Sequence, residues 1–315
     1  MSAIVTVTFN PAIDKSTTVP LLISEKKLYC SQPVYEPGGG GINVARAIKK
    51  LGEESIAVYL AGGYTGKKLT QMLTDEGVES IVTETTESTR ENLVVLEEMS
   101  NKQYRFGMPG SVVSEQEWQA CLSSIEAIPD VKYIVASGSL PLGVPSDIFA
   151  GMAHIARNKN AKLIVDTSGD ALKQAVKSGV YLIKPSIKEL ASLVAKAELS
   201  VESVSDVARE VIARGGCEVV VVSMGALGAL LVMKEHELRI TPPNIIVKST
   251  VGAGDCMVAG IVLSLSKNKS LMEALQYGVA CGTAATMNPG TKLCDKDDVE
   301  KLYNIIRQET ELLSL

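Results

Sequence analysis

Short runs of apolar and β-branched residues alternate along the chain with longer segments whose apolar positions recur every three or four residues. The first rhythm predicts strands and the second helices. Strands are expected at 3–9, 55–61, 80–82, 131–136, 162–165, 181–183 and 217–222. Helices are expected at 42–51, 65–76, 115–125, about 146–157, just before 181, and at 201–214, 271–287 and 296–308. The run Cys217 to Val222 is apolar throughout, as in a strand covered by helices on both faces. Ser223 to Ala229 reads as a turn into a further strand. Repeated strand-helix order predicts an α/β fold: a doubly wound, mostly parallel sheet flanked by helices.

Two insertions break this order. Residues 15–35 and 89–107 alternate without helical period and predict a small β-sheet lid within a single domain spanning 1–315. A small sheet with one face open is a poor fold alone. It is therefore expected to pair with a second copy, giving a homodimer clasped through the lid.

Two glycine-rich stretches lead into helices. In Ser249-Thr250-Val251-Gly252-Ala253-Gly254-Asp255, small residues precede a carboxylate and the apolar run Cys256 to Leu263. The first turn of a helix carries unpaired N–H groups and partial positive charge, and glycine lets a phosphate approach them. Asp255 there can take a proton from an attacking hydroxyl. The second stretch, Gly38 to Gly41, precedes Ile42 and Asn43. Its glycines are expected to approach sugar hydroxyls, and Asn43 can both donate and accept. Asp14 follows the first strand. Lys26, Lys27, Arg90 and Arg105 stand on the lid as candidate anion holders. Ser137-Gly138-Ser139-Leu140-Pro141 leaves a strand end, where ligand residues of open α/β sheets gather.

Composition narrows the classes. The chain has 315 residues, 46% hydrophobic and 21% charged, enough for a full core. Net charge is -5, aromatics are 4%, and Trp118 is the one tryptophan, which disfavours a nucleic-acid partner. No apolar run reaches membrane-spanning length, so no membrane partner is expected. Six dispersed cysteines lack any Cys-x-x-Cys pair, and the start of the chain reads as a strand. Both fit a cytoplasmic protein. His154 and His236 lack metal-ligand spacing. There is no Walker pattern, so a kinase built on these loops would hold phosphates by helix N-termini and Lys184.

Five segments in order carry a family resemblance: Glu36 to Ala47, Tyr104 to Gly110, Ser137 to Pro141, Ser249 to Asp255 and Asn288 to Cys294. With them the chain resembles, over essentially its whole length, the ribokinase-like sugar kinases of the PfkB family, and within it the branch acting on fructose 6-phosphate. The resemblance implies ATP-dependent phosphorylation of a ketohexose phosphate, with fructose 6-phosphate taken at its C1 hydroxyl. Tagatose 6-phosphate, fructose 1-phosphate and a non-catalytic sensor of sugar phosphate or nucleotide are the alternatives. It implies Asp255 as catalytic base and Gly252, Ala253 and Gly254 as anion hole. Asp14, Gly39, Gly40 and Asn43 would meet the sugar. Lys27, Arg90, Arg105 and Ser139 would surround its 6-phosphate, Lys27 reaching in from a neighbouring subunit. Lys184, Ser186, Glu189, Ser223, Gly225 and Gly228 would serve ATP. Glu189 would act on Mg2+ through water, and Ser249, Val251, Ala285, Asn288 and Gly290 would hold a monovalent cation, K+. Two positions depart from the family: Ser186 replaces the asparagine of Asn-x-x-Glu, and Gly40 stands where kinases of the alternative sugars carry lysine.

Overall fold

Every residue of Ile4–Thr8 (β1) is buried, as a central parallel strand requires. The computed structural model describes residues 4–313, so the expected strand residue Ala3 lies outside it. After β1 come β2 (Ala12–Val19), β3 (Val34–Gly38), α1 (Gly40–Lys50), β4 (Ile56–Gly62), α2 (Gly63–Asp75), β5 (Glu79–Thr85), β6 (Arg90–Glu97) and β7 (Lys102–Phe106). The alternation continues with α3 (Glu115–Ala127), β8 (Tyr133–Ser137), α4 (Ile148–Asn158), β9 (Lys162–Asp166), α5 (Gly169–Lys177), β10 (Val180–Ile183), α6 (Ile187–Leu193), α7 (Val204–Ala213) and β11 (Cys217–Ser223). It ends with β12 (Ala229–Val232), β13 (Glu237–Ile240), α8 (Ala253–Ser266), α9 (Leu271–Thr286) and α10 (Lys296–Leu313).

Nine strands make one sheet in the order β13-β12-β11-β10-β9-β8-β1-β4-β5. It is parallel except for β12 and β13, which turn back antiparallel at one edge. Strand residues alternate between two cores. Val5 and Val7 join Ile125, Met152, Leu172 and Val207 beneath α3, α4, α5 and α7. Ile4 joins Val44, Val258 and Val279 beneath α1, α8 and α9. The expected doubly wound α/β sheet is therefore the one the chain forms.

The lid differs from expectation in its bounds. It is a four-stranded sheet, β3-β2-β6-β7. Pro11 ends the run from β1, but Ala12 pairs at once with Gly38 and Arg90, so the lid begins three residues earlier than its first expected strand. Residues 20–33 are not strand. They contain Lys26 and Lys27 and link β2 to β3, which runs directly into the glycine-rich loop. A second difference is α6, which periodicity did not reveal. Ser186 accepts from Glu189 N–H while Glu189 accepts from Ser186, a capping box that starts a helix of only seven residues.

A buried arginine fastens lid to sheet. Arg46, on α1, is 3% exposed. Its guanidinium bonds both carboxylate oxygens of Glu76 at 2.7 Å and donates to Pro37 O at 2.8 Å. It also lies 3.7 Å from Glu36, whose other oxygen accepts from Thr291 Oγ1. Glu36 faces Asp14 across β2 and β3, a like-charge pair that Arg46 offsets. Among the described residues no helix is long and apolar enough to cross a membrane. We expect Arg46→Met, which keeps the stem but strands two carboxylates, to lower unfolding free energy by about 3–5 kcal/mol in urea melts. A loss below about 1 kcal/mol would contradict this account of the lid anchor.

Candidate active site

The C-terminal ends of the parallel strands converge on the first turn of α8. Gly252 precedes that turn with φ 73°, a left-handed conformation natural to glycine. It turns the chain so that Asp255 points toward the strand ends. Two donors from different elements reach the carboxylate. Asn43 Nδ2, from α1, donates to Oδ2 at 2.9 Å, and Ser137 Oγ, at the end of β8, donates to Oδ1 at 3.2 Å. Lys184, just past β10, is buried, with Nζ 3.2 Å from Asp166 Oδ1 at the end of β9.

The electrostatics follow from depth. Asp255 keeps some accessible surface, as a group at a cleft floor must, yet lies deep among protein atoms. Burial pushes its pKa up to about 7; nearby Asp166 adds to the rise, while Asn43, Lys184 and Ser137 oppose it. Burial alone would lower the Lys184 pKa, but Asp166 first, then Asp255 and Glu189, leave it raised, so the ammonium stays charged. Burial also raises the pKa of Asp166, against the pull of Lys184. The neighbouring Cys256 is fully buried and its thiol is pushed well above its usual value by burial, so it serves packing rather than nucleophilic chemistry.

On the lid side, Asn43 Oδ1 is buried without a hydrogen-bond partner, an acceptor that invites a hydroxyl donor. Asp14 accepts from Asn92 Nδ2 at 2.9 Å, and burial raises its pKa against Asn92 and Arg90. Asp14 thus sits inside β2 rather than at the exit of the first strand. Ser139 accepts from Asn10 Nδ2 at 3.0 Å. Arg90 donates to the carbonyls of Met108, Asn10 and Pro11 at 2.9, 3.0 and 3.4 Å. Arg105 is exposed and reaches Gln103 and Thr250. Lys27 is exposed, its Nζ 5.1 Å from the centre of the Tyr29 ring. The glycine-rich loop packs closely against the strand ends. A Cβ on Gly39 would meet Thr8 Cγ2 at 2.8 Å, and one on Gly40 would meet Ser137 Oγ at 2.3 Å. These glycines are required by close approach to the chain's own strand ends.

On the other side of Asp255 opens a cavity of about 430 Å3, within the range of small-ligand sites. Ser223, Gly225 and Gly228 line it, with Ala253 and Gly254 of the α8 turn, and Met257 and Val279 add apolar surface. Pro242, Pro243, Asn244, Ile245 and Val247 form a wall that the sequence did not announce. Ser186 and Glu189 are occupied with each other. Ser186 N and Oγ each lie 2.8 Å from Glu189 Oε2, so serine at this position caps α6.

Behind the turn, Ser249 Oγ donates to Gly290 O at 2.8 Å and accepts from Val251 N at 3.2 Å. Asn288 N donates to Ala285 O at 3.2 Å, and Asn288 Nδ2 to Leu293 O at 3.1 Å. These positions gather neutral carbonyl and hydroxyl oxygens, the donor set that suits a potassium-sized cation. Among the described residues no group of three His, Cys, Asp or Glu side chains could hold a metal. Sequence reasoning placed Ser137 in a ligand-facing strand exit but missed Asp166 as a site residue. Their signal was position, each the last residue of a parallel strand.

The family profile for pfkB family carbohydrate kinases matches residues 7–298. The chain is 43% identical over 304 residues to the ATP-dependent 6-phosphofructokinase isozyme 2 of Escherichia coli K12, covering 96% of this chain and 98% of that protein. Phosphofructokinase-2 from Escherichia coli in complex with potassium superposes with a TM-score of 0.93 at 42% identity, covering 98% of this chain and 100% of that one. The tetrameric inhibited form of the same enzyme gives 0.92 at 42% identity, with the same coverage.

The deep-set carboxylate has a stability consequence. Its folded pKa of about 7 exceeds the usual 3.8, so the unfolded chain ionises first as pH rises. Asp255 therefore costs no stability below about pH 4, costs progressively more up to about pH 7, and costs a constant amount above. We expect Asp255→Asn to be more stable than the native chain at about pH 8, by roughly 1–4 kcal/mol, and less so at about pH 5. A gain in urea melts that does not grow with pH would contradict the raised pKa.

Proposed function

The chain belongs to the pfkB family of carbohydrate kinases, and we propose that it transfers the terminal phosphoryl group of ATP to the C1 hydroxyl of fructose 6-phosphate, giving fructose 1,6-bisphosphate and ADP. The observation that carries this reading is where Asp255 sits. One side of its turn borders the cavity of about 430 Å3, and the other meets Asn43, whose Oδ1 lacks a donor. A base between a nucleotide-sized cavity and an unpaired hydroxyl acceptor suits in-line transfer between two ligands.

In this mechanism Asn43 and Asp14 orient the sugar hydroxyls. Asp255 accepts the C1 proton as the new oxygen–phosphorus bond forms and the bond to the ADP oxygen breaks. A base with pKa near 7 is matched to that task at neutral pH. The backbone N–H groups of Gly252, Ala253 and Gly254, unpaired in the first helical turn, stabilise charge on the transferring group. Lys184 adds positive charge beside them. Magnesium bound to the nucleotide, approached by Glu189 through water, would neutralise phosphate charge. A potassium ion on oxygens of Ser249, Val251, Ala285, Asn288 and Gly290 would add positive potential behind the anion hole. Arg105 and Ser139, with Arg90 and with Lys27 from a second subunit, would bind the 6-phosphate.

We also propose a homodimer through the lid. Exposed apolar residues cluster there: Tyr29, Val34, Tyr104, Phe106 and Met108. A cytoplasmic location accords with six free cysteines among the described residues.

The test is ADP release by the purified protein with Mg-ATP and potassium, comparing fructose 6-phosphate, tagatose 6-phosphate and fructose 1-phosphate. Fructose 6-phosphate should be preferred, and Asp255→Asn should lower turnover by roughly 10²–10⁴-fold. Preference for either other sugar would overturn the substrate assignment alone. Tight binding of both ligands without ADP formation would point to a sensor.

A further inference from the structure

We propose that Ser137 is a positioning residue for phosphoryl transfer, its hydroxyl fixing the Asp255 carboxylate from the sheet side, in space that Gly40 leaves open. The proposal rests on the reading of Asp255 as the base. A carboxylate turns easily about its last torsion, and one hydrogen bond fixes only one oxygen. Asn43 holds Oδ2 from α1, and Ser137 holds Oδ1 from the end of β8. Two donors on two separate rigid elements define the plane of the group and leave lone pairs free for an incoming hydroxyl proton.

Ser137 is suited to the role. Its side chain is 6% exposed, so water competes little for its hydroxyl. Its backbone is held as the last residue of a strand paired with β9, opposite Asp166. Residue 40 matters because a Cβ there would lie 2.3 Å from Ser137 Oγ and 2.6 Å from Gly138 N. Any side chain at position 40 would displace either the hydroxyl or the strand exit. Glycine at this position therefore preserves the bond to the base.

The charged groups facing Asp255 are Asp166 from β9 and Lys184 from beyond β10, while Asn43 faces it from α1 and the Cys256 thiol lies on its own helix. With these unchanged, the Ser137 hydroxyl favours the ionised carboxylate, and its removal favours the protonated one. The acid limb of the turnover profile should then move to higher pH.

The experiment is single-turnover phosphoryl transfer at saturating Mg-ATP and sugar phosphate, from about pH 5.5 to about pH 9, for the native chain, Ser137→Ala, Gly40→Ala and Asp255→Asn. Ser137→Ala should lose roughly three- to tenfold at about pH 6.5 and much less at about pH 9, as expected for one hydrogen bond to a charged group. KM for ATP should stay within about twofold. Gly40→Ala should shift the limb the same way while keeping both side chains, so the proposal stays testable if Ser137→Ala folds poorly. An unmoved acid limb in both variants, or a uniform loss at all pH values, would overturn the role of Ser137 while leaving the base reading intact if Asp255→Asn is inactive. Near-native turnover in Asp255→Asn would overturn the base reading and this proposal with it.

Discussion

One carboxylate held deep at the start of a helix sets the terms for the rest of this molecule. A charge there is expensive unless polar partners surround it. Those partners come from elements far apart in sequence: Asn43 from α1, Ser137 from β8, and Lys184, paired with Asp166, from the ends of β10 and β9. A parallel sheet brings such residues together because all its strands end on one edge. The central position of β1, flanked by β4 and β8, lets the glycine-rich loop and the β8 exit meet beside α8. The fold is the device that lets Asp255 be both deep-set and usable.

The lid is joined to this centre by an apolar core, in which Ile13 of β2 packs with Ile42 of α1, Tyr59 of β4 and Leu69 of α2, and by polar contacts. Arg105 reaches Thr250 in the loop before α8 at 3.4 Å. Glu36, on β3, accepts from Thr291 in the loop behind the anion hole and neighbours Arg46. Asp14, the candidate sugar ligand on β2, lies across from Glu36 in the same small sheet. The lid, the turn before α8 and the loop at Thr291 are thus linked by polar side chains in addition to that apolar packing.

Most of the architecture was legible because strand and helix periods differ and the β-α order admits few topologies. Cys217 to Val222 announced a covered strand, and Ser249 to Asp255 announced a helix start. What escaped had physical causes. The helix Ile187–Leu193 is too short for a period and depends on a capping box. The lid bounds were misplaced because Pro11 looked like a full stop, whereas the next residue already pairs. The close approach of Thr8 to Gly39 and of Ser137 to Gly40 is visible only in the coordinates. Asp166 was hidden because a polar residue at a strand end has no distinctive spacing, and the strand exit at Ser137 did not reveal which carboxylate its hydroxyl would meet. Lys27, Arg90 and Arg105 were recognisable as cations, but their partners are carbonyls, an aromatic ring and hydroxyls that no one-dimensional pattern could supply.

The Asp255 carboxyl, by virtue of its depth, titrates near neutrality while Asn43 and Ser137 hold its two oxygens. The most direct measurement is the pH titration of isotope-labelled aspartate carboxyl carbons by NMR, with the Asp255 signal assigned by its loss in Asp255→Asn. The account predicts a signal that moves with a midpoint near pH 7, about three units above an ordinary aspartate. A carboxyl already ionised at about pH 5 would contradict it, because the site would then solvate its charge as well as water does.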